Sequence, residues 1–388
     1  MTNSAPKEII AVAGAGIAGL SAAIALRLAG YPVEVFEREQ AIQPIGAGIQ
    51  IGPNASRILE SWRLNLGGAS FEPEAIELHN ARSGTLLNTV PLKGAVRARY
   101  GAPYITLTRK DLQNALLSRA RDLGIQIRYG WPVTEAVKTA SGLDVTAGGR
   151  THAVGALIGA DGINSAVKKL AWNTKPAFSS HAVAWRGIVP ISTLPAEFRS
   201  NVVLWMASGG HFVHYPVSGG SALNGVLVIE DGYRNGLDAP SGDPRPYLLE
   251  RLSGWAEPPR SVIAATNAWQ PWRLYGVEKW DGGVGRVQTI GDAWHAMQPF
   301  LASGSVMAIE DGAALATSLS GAKSIDEGLR LFREKRGPRV WHVAERSALM
   351  GRIYHCPQPF DAVRDLAIKS ASSSSLLERN DWLYGAHI

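Results

Sequence analysis

A chain of 388 residues, 46% hydrophobic and 19% charged, is long enough for two domains that share a sizeable core. Its formal net charge is +6 without any dense Lys/Arg tract, which argues against nucleic acid and leaves a positive field suited to small carboxylates, or simple solubility. One cysteine, Cys356, excludes an intrachain disulfide framework and a CxxC metal cluster, and suits a reducing cytoplasm.

The first forty residues read strand, turn, helix, turn, strand. Residues 9–13 are a short apolar run of the kind buried in parallel sheets, and Leu20, Ile24 and Leu28 repeat at helical spacing until Gly30-Tyr31-Pro32. Residues 33–36 form the second strand. The apolar stretch from Ile9 to Leu28 could be taken for a signal peptide or a membrane span, but three regularly spaced glycines interrupt it and Glu37 follows closely. Thr108 and Asp111 form a capping pair ahead of a helix that Gly124 ends, and residues 125–129 read as a strand. Further strands fall within residues 143–160. From about Ala177 to Trp272 the strand-like runs 202–205, 212–215 and 223–229 alternate with Gly/Ser turns, which predicts an inserted, mainly antiparallel sheet. Residues 284–290 return to a buried strand. A long helical region from about Ser305 to the C-terminus is expected to break at Gly337-Pro338. The expected class is therefore α/β. A discontinuous dinucleotide-binding domain (1–176 and 273–388, with the C-terminal helices) surrounds a β-sheet domain (177–272).

Gly14-Ala15-Gly16-Ile17-Ala18-Gly19 follows an apolar strand and opens a helix. In that context Gly14 permits the tight turn, Gly16 lets backbone approach a pyrophosphate, and Gly19 lets helix and strand pack closely. The helix N-terminus offers free N–H groups and positive potential to phosphate. Glu37, with Arg38 beside it, ends the second strand where a carboxylate can accept hydrogen bonds from ribose hydroxyls and repel a 2′-phosphate, which favours FAD or NAD over NADP.

Two further motifs follow, Gly159-Ala160-Asp161-Gly162 and Gly291-Asp292-Ala293-Trp294-His295-Ala296-Met297-Gln298-Pro299, the latter running on to Glu310-Asp311. In this order, together with Gly46-Ala47-Gly48-Ile49-Gln50, Thr108-Arg109-Lys110-Asp111-Leu112 and Trp382-Leu383-Tyr384-Gly385, the chain resembles the single-component flavin-dependent aromatic hydroxylases. The likeness is to the salicylate hydroxylase-like branch that includes the 3-hydroxybenzoate and 6-hydroxynicotinate hydroxylases.

The resemblance implies a p-hydroxybenzoate hydroxylase-like fold and a set of roles around FAD. Arg109 would contact the flavin side, Val133 would meet adenine through its backbone, and Asp161 would support the pyrophosphate region. Asp292 would bind the ribityl chain or pyrophosphate, Pro299 would face the ring, and Gly304 and Ser305 would aim N–H groups at its N1–C2=O edge. Gln50 is a candidate flavin or substrate contact. The family's alanine is replaced by Trp294, its Gln-Gly by Ser303-Gly304, and its Glu-Asp-Ala by Glu310-Asp311-Gly312; these departures bear on flavin mobility and oxygen reactivity.

The implied reaction uses NAD(P)H to reduce FAD and O2 to form a flavin C4a-hydroperoxide, whose distal oxygen goes to an electron-rich ring carbon. No metal or covalent protein nucleophile is required. A base near a substrate hydroxyl helps, because a phenolate is the better nucleophile. His211 and Tyr215 lie four apart in an apparent strand and so share a face: His211 could take the phenol proton and Tyr215 could hold the ring, although both could equally be ordinary half-buried strand residues. His214 points the other way and reads as structural, and His295 is expected to pack near FAD. An arginine clamp for a substrate carboxylate fits this chemistry, but the sequence does not choose among the arginines. Three rival readings stay open at this point. They are a decarboxylating hydroxylase, or a hydroxylase or epoxidase of a larger metabolite; a FAD-binding protein without turnover; and an NAD-dependent dehydrogenase. A monomer and a homodimer are equally compatible with the sequence.

Overall fold

The strand Ile10–Ala13 is buried along its whole length, as its unbroken apolar run requires. It lies inside a six-stranded sheet in the order 283–284, 287–289, 156–159, 10–13, 33–37, 126–129, parallel throughout except for the 283–284 edge. The computed structural model describes residues 7–41, 47–172, 178–230 and 242–388, apart from the side chains of residues 178–181 and 197. Gly46 and the expected sheet start at Ala177 lie outside the described residues.

One face of this sheet carries the helices Ile17–Leu28, Arg109–Asp122 and Gly304–Ser320, which share its largest apolar core. The other face is covered by an antiparallel meander, Val133–Lys138, Leu143–Ala147 and Arg150–Val154. Val133 and Val145 of the meander pack with Ala11, Ala13 and Phe36. The Thr108 cap is present, its hydroxyl accepting from the Asp111 N–H at 3.0 Å.

The first helix is rich in small residues because another helix crosses it at backbone distance. A Cβ on Gly312 would stand 2.7 Å from the Ser21 backbone and 2.8 Å from Ala22 N. The replacement of the family's alanine by Gly312 therefore matches a tight crossing between Ile17–Leu28 and Gly304–Ser320.

The expected break at Gly337-Pro338 is corrected by the structure. Residues Ile325–Tyr354 form one continuous helix of 30 residues with Pro338 inside it. Pro338 and Glu334 are both exposed, so the carbonyl that loses its N–H partner can turn to water. Meanwhile Leu329, Phe332, Val340 and Val343 bury the opposite face across the proline. No helix among the described residues is long and apolar enough to cross a membrane.

The second sheet has seven strands in the order 270–276, 178–190, 222–230, 210–217, 202–207, 75–80, 86–91. It is antiparallel except where 202–207 runs parallel to 75–80. A division at residues 177 and 272 leaves Ala75–Asn80 and Leu86–Pro91 outside; in the fold they continue the sheet by pairing with the open edge of 202–207. One face packs on the helices Arg245–Arg251 and Glu257–Ala265 through Leu248, Leu252, Val262 and Ile263. The other face turns toward the first domain, with the short hairpin-like pair 48–51 and 105–108 between them.

The close helix crossing makes a direct prediction. Gly312→Ala should destabilise the protein by about 1–3 kcal/mol through overpacking against unyielding backbone. The check is a chemical-denaturation midpoint, which should drop with an unchanged slope.

Candidate active site

Gly14 adopts φ +105°, a left-handed backbone that glycine tolerates, and a Cβ there would meet Ala160 O at 2.6 Å. Gly19 packs onto Gly14 itself. Gly16 then starts the helix Ile17–Leu28 with no side-chain cap and open space where its Cβ would be. Free N–H groups at an uncapped, open helix start fit a pyrophosphate. Glu37 closes the strand beside this loop, its two carboxylate oxygens accepting from Ala15 N at 2.6 Å and Glu39 N at 3.0 Å. Arg38 is exposed and pairs with Glu39 at 3.0 Å. Val133 opens the meander two residues after Trp131, whose N–H donates to Glu37 O at 2.8 Å.

A cavity of about 240 Å³ continues from this loop toward the second sheet. Its walls bring together Gly16, Ala18, Gln50, Arg109, Asp292, Pro299, Gly304 and Ser305 with His211 and Tyr215. The helix Gly304–Ser320 also begins there without a side-chain cap, and a Cβ on Gly304 would meet nothing within 4 Å. Two uncapped helix starts opening into one slot fit a dinucleotide that carries negative charge at its phosphates and, when reduced, on its flavin.

Asp161 sits at the edge of the slot. Its oxygens accept from Ser165 Oγ at 2.5 Å, Ala166 N at 2.6 Å and Val167 N at 3.2 Å, so the carboxylate caps the short helix Ala166–Ala171. Its neighbours Ala160 and Gly162, rather than Asp161 itself, line the slot. Trp294 also stands away from the slot. It is fully buried against Phe332 and Gly282, and its indole N–H donates to Trp280 O at 3.2 Å. Ser303 does line the slot, with its hydroxyl donating to Leu301 O at 2.8 Å.

The loop carrying Asp292 is anchored by a buried charge network. Arg336 donates to Asp311 Oδ1 at 2.9 Å and to Glu310 Oε2 at 2.7 Å, and Arg339 and Asn54 also bind Glu310. Asp311 Oδ2 accepts from Gly291 N at 2.9 Å and lies 2.6 Å from His295 Nε2. Burial alone would push the Asp311 carboxyl up, but His295 and Arg336 outweigh it and hold it down at about 2. His295 is therefore part of the anchor, one turn removed from the slot.

A second, more apolar cavity of about 390 Å³ adjoins the slot and shares Gln50, His211, Val213, Pro299 and Ala302 with it. His211, Val213 and Tyr215 alternate along the strand Gly210–Val217 and face these cavities, while Phe212 sits in the opposite core. His214 lies on that other side too, accepting from the Trp205 indole N–H at 3.1 Å, and burial drops its pKa to about 3. Burial, with His355 adding to it, holds His211 well below 6.5, so its imidazole is neutral at pH 7. Tyr215 is raised by burial and stays a protonated phenol. Tyr104 donates to Gln50 Oε1 at 2.6 Å at the junction of the two cavities.

Sequence reasoning named Arg186, with Trp185, Trp205 and Trp294, only as a candidate wall of an aromatic pocket, and it missed two other parts of this site altogether. Arg186 lines the slot with its guanidinium 5.4 Å from the Trp272 ring; its buried Nε has no hydrogen-bond partner among the described residues, and Asp292 on the same slot acts on it electrostatically. The C-terminal helices supply Met350, Tyr354, Leu376 and Tyr384 as the wall of the larger cavity. His355 stands behind His211. Only the Trp382-Leu383-Tyr384-Gly385 segment gave a sequence signal for that wall.

The FAD binding domain family model matches residues 8–347 of this chain. The chain is 35% identical to a 3-amino-4-hydroxybenzoate 2-monooxygenase of Streptomyces platensis, with 97% of this chain and 95% of that protein covered. It is 30% identical to a 3-hydroxybenzoate 6-hydroxylase of Polaromonas naphthalenivorans, covering 98% and 96% respectively. Among solved structures it superposes on Klebsiella pneumoniae HpxO complexed with FAD and uric acid, at TM-score 0.85 and 23% identity over 97% of each chain.

The anchor's charge state sets an acid limit. Asp311 titrates near 2 in the fold against 3.8 unperturbed, so its contribution to stability is full above pH 3.8 and lost as pH falls toward 2. Asp311→Asn should flatten that part of the stability–pH curve. It should also lower stability by about 3–5 kcal/mol at pH 7, because Arg336 loses a buried partner. Thermal melts of both proteins between pH 7 and pH 2 measure this.

Proposed function

From the premise that this chain belongs to the FAD binding domain family and is a FAD-dependent monooxygenase, we propose that it hydroxylates a small anionic aromatic ring that already carries a hydroxyl group, using NAD(P)H and O2. The observation that carries this reading is the strand Gly210–Val217, which presents His211 and Tyr215 to the same slot that holds the open N-terminus of Gly304–Ser320. When bound, FAD would supply the redox chemistry that takes electrons from NAD(P)H and delivers one oxygen atom of O2. Gly16, Glu37 and Val133 would hold its adenosine and pyrophosphate portion. Arg109, Asp292, Pro299, Gly304 and Ser305 would hold its ribityl and flavin portion.

The chain's own residues then prepare the substrate. His211, neutral at pH 7, accepts the proton of the ring hydroxyl and makes the ring more electron-rich. Tyr215 and Gln50 position the hydroxylated edge. Arg186, whose buried Nε has no hydrogen-bond partner among the described residues, pairs with the substrate's anionic group. The apolar wall of Leu204, Met206 and Met350 excludes water from the reacting ring.

A screen of hydroxybenzoates and hydroxypyridines for substrate-stimulated NAD(P)H oxidation, with product mass measured, tests the reading; a product heavier by one oxygen is expected. With an active substrate, His211→Ala should keep FAD bound but lower hydroxylated product per NAD(P)H by about 10-fold or more. Unchanged coupling removes His211 as the base. Arg186→Met should raise KM by about 10- to 100-fold for the loss of a charge-assisted hydrogen bond. An unchanged KM would show that the anion binds elsewhere.

A further inference from the structure

His211 is not an isolated imidazole. Its Nδ1 lies 2.7 Å from His355 Nε2, and His355 Nδ1 lies 2.6 Å from Glu230 Oε1. The two imidazoles are almost fully buried, whereas the Glu230 side chain is 53% exposed. The three groups therefore run in line from the substrate cavity to solvent. We propose that His211, His355 and Glu230 form a proton relay that carries the substrate's hydroxyl proton to bulk water.

The direction of the hydrogen bonds follows from the end of the row. An ionised carboxylate only accepts, so His355 Nδ1–H donates to Glu230. His355 Nε2 is then the acceptor for His211 Nδ1–H, and the remaining nitrogen, His211 Nε2, keeps a free lone pair. Glu230 thus fixes the tautomer in which the atom left to face the cavity is a base. In the forward step the substrate O–H bond breaks and an N–H bond forms at His211 Nε2. The Nδ1 proton of His211 passes to His355 Nε2, the Nδ1 proton of His355 passes to Glu230, and Glu230 releases it to water. Running the same transfers backward onto the product phenolate restores the starting tautomers, so the cycle consumes no co-reactant.

The packing serves the relay. Phe300 stacks edge-on against both imidazoles, with centroids 5.5 and 5.6 Å away, and Tyr354 covers His211 at 5.4 Å. His355 sits at the C-terminus of the helix Ile325–Tyr354, where the backbone favours a transient imidazolium. The Gly209 N–H donates to His355 O at 3.2 Å and so ties that helix end to the turn before His211. Two further groups face the row. Arg364 is engaged by Asp365 and Tyr354 O and opposes charge on His355, and Tyr354 remains a neutral phenol with its pKa at about 12. His211 alone is a weak base because burial disfavours its charged form. Passing the proton outward removes that penalty from the reacting ring.

Glu230 and His355 act through His211 and are positioning residues. This inference rests on the base role of His211, and the test separates the two. In FAD-bound protein labelled with ¹⁵N-histidine, His211 should show a protonated Nδ1 and a bare Nε2. A protonated Nε2 overturns the relay whether or not a substrate is known. With 3-hydroxybenzoate and 3-amino-4-hydroxybenzoate as probes, Glu230→Gln and His355→Phe should each lower the rate of product formation by about 10-fold, and His211→Gln by about 100-fold, with KM within about two-fold. Glu230→Asp should restore most of the rate, which a merely structural role for Glu230 would not predict. If His211→Gln is as active as the parent, the base reading falls and the relay with it. If only His211→Gln is impaired, the relay alone falls.

Discussion

The guanidinium of Arg336 lies wholly out of water between two consecutive carboxylates, Glu310 and Asp311. Three charges in a dry interior stand because they pair with one another and with further hydrogen-bond partners, and those partners are the parts that must be held together. Asn54 brings in the helix after the 48–51 strand, Gly291 brings in the turn before Asp292, and Arg339 brings in the C-terminal segment through Trp382 O and Leu383 O at 3.1 Å each. Loops far apart in sequence thus acquire one common reference point. The walls of the slot carried by the Gly291-Asp292 turn and the start of the helix Gly304–Ser320 are tied to it.

Above that anchor the chemistry divides along one strand. Period-two alternation sends His211, Val213 and Tyr215 toward the cavities and Phe212 and His214 into the opposite core. The same backbone is therefore both a structural member and the roof of the site. The roof is rigid because paired strands flank it on both sides. Rigidity matters here, since a base works only if its nitrogen stays within hydrogen-bond reach of the proton it removes.

What was legible in the sequence is what short-range spacing encodes. The glycine turn with Glu37 at the end of the next strand, the Thr108–Asp111 cap and the shared face of His211 and Tyr215 all follow from local periodicity. The unread parts depend on contacts across long separations. His211 meets His355 over 144 positions, and no spacing rule links a strand residue to a helix end that far away. Arg186 stood out among many arginines only once its buried Nε was seen to lie on the slot without a hydrogen-bond partner among the described residues. Pro338 misled for a related reason: an intrinsic preference against helix was overridden by the apolar face buried on both sides of it. The helix-start contact of Asp161 was equally unread, because the spacing of a glycine-rich turn does not say which backbone N–H groups its carboxylate meets.

The strand order of the parallel sheet also governs how the molecule can be made. The strand Ile10–Ala13 reaches its full set of neighbours only when residues 156–159 have arrived, and these in turn wait for residues 287–289. Arg336, which secures the turn that follows, emerges later still. A ribosome delivering the chain from its N-terminus therefore presents an incomplete sheet for most of translation. The slot that joins Gly16 to Asp292, Pro299 and Gly304 is complete only once those late residues have been synthesised.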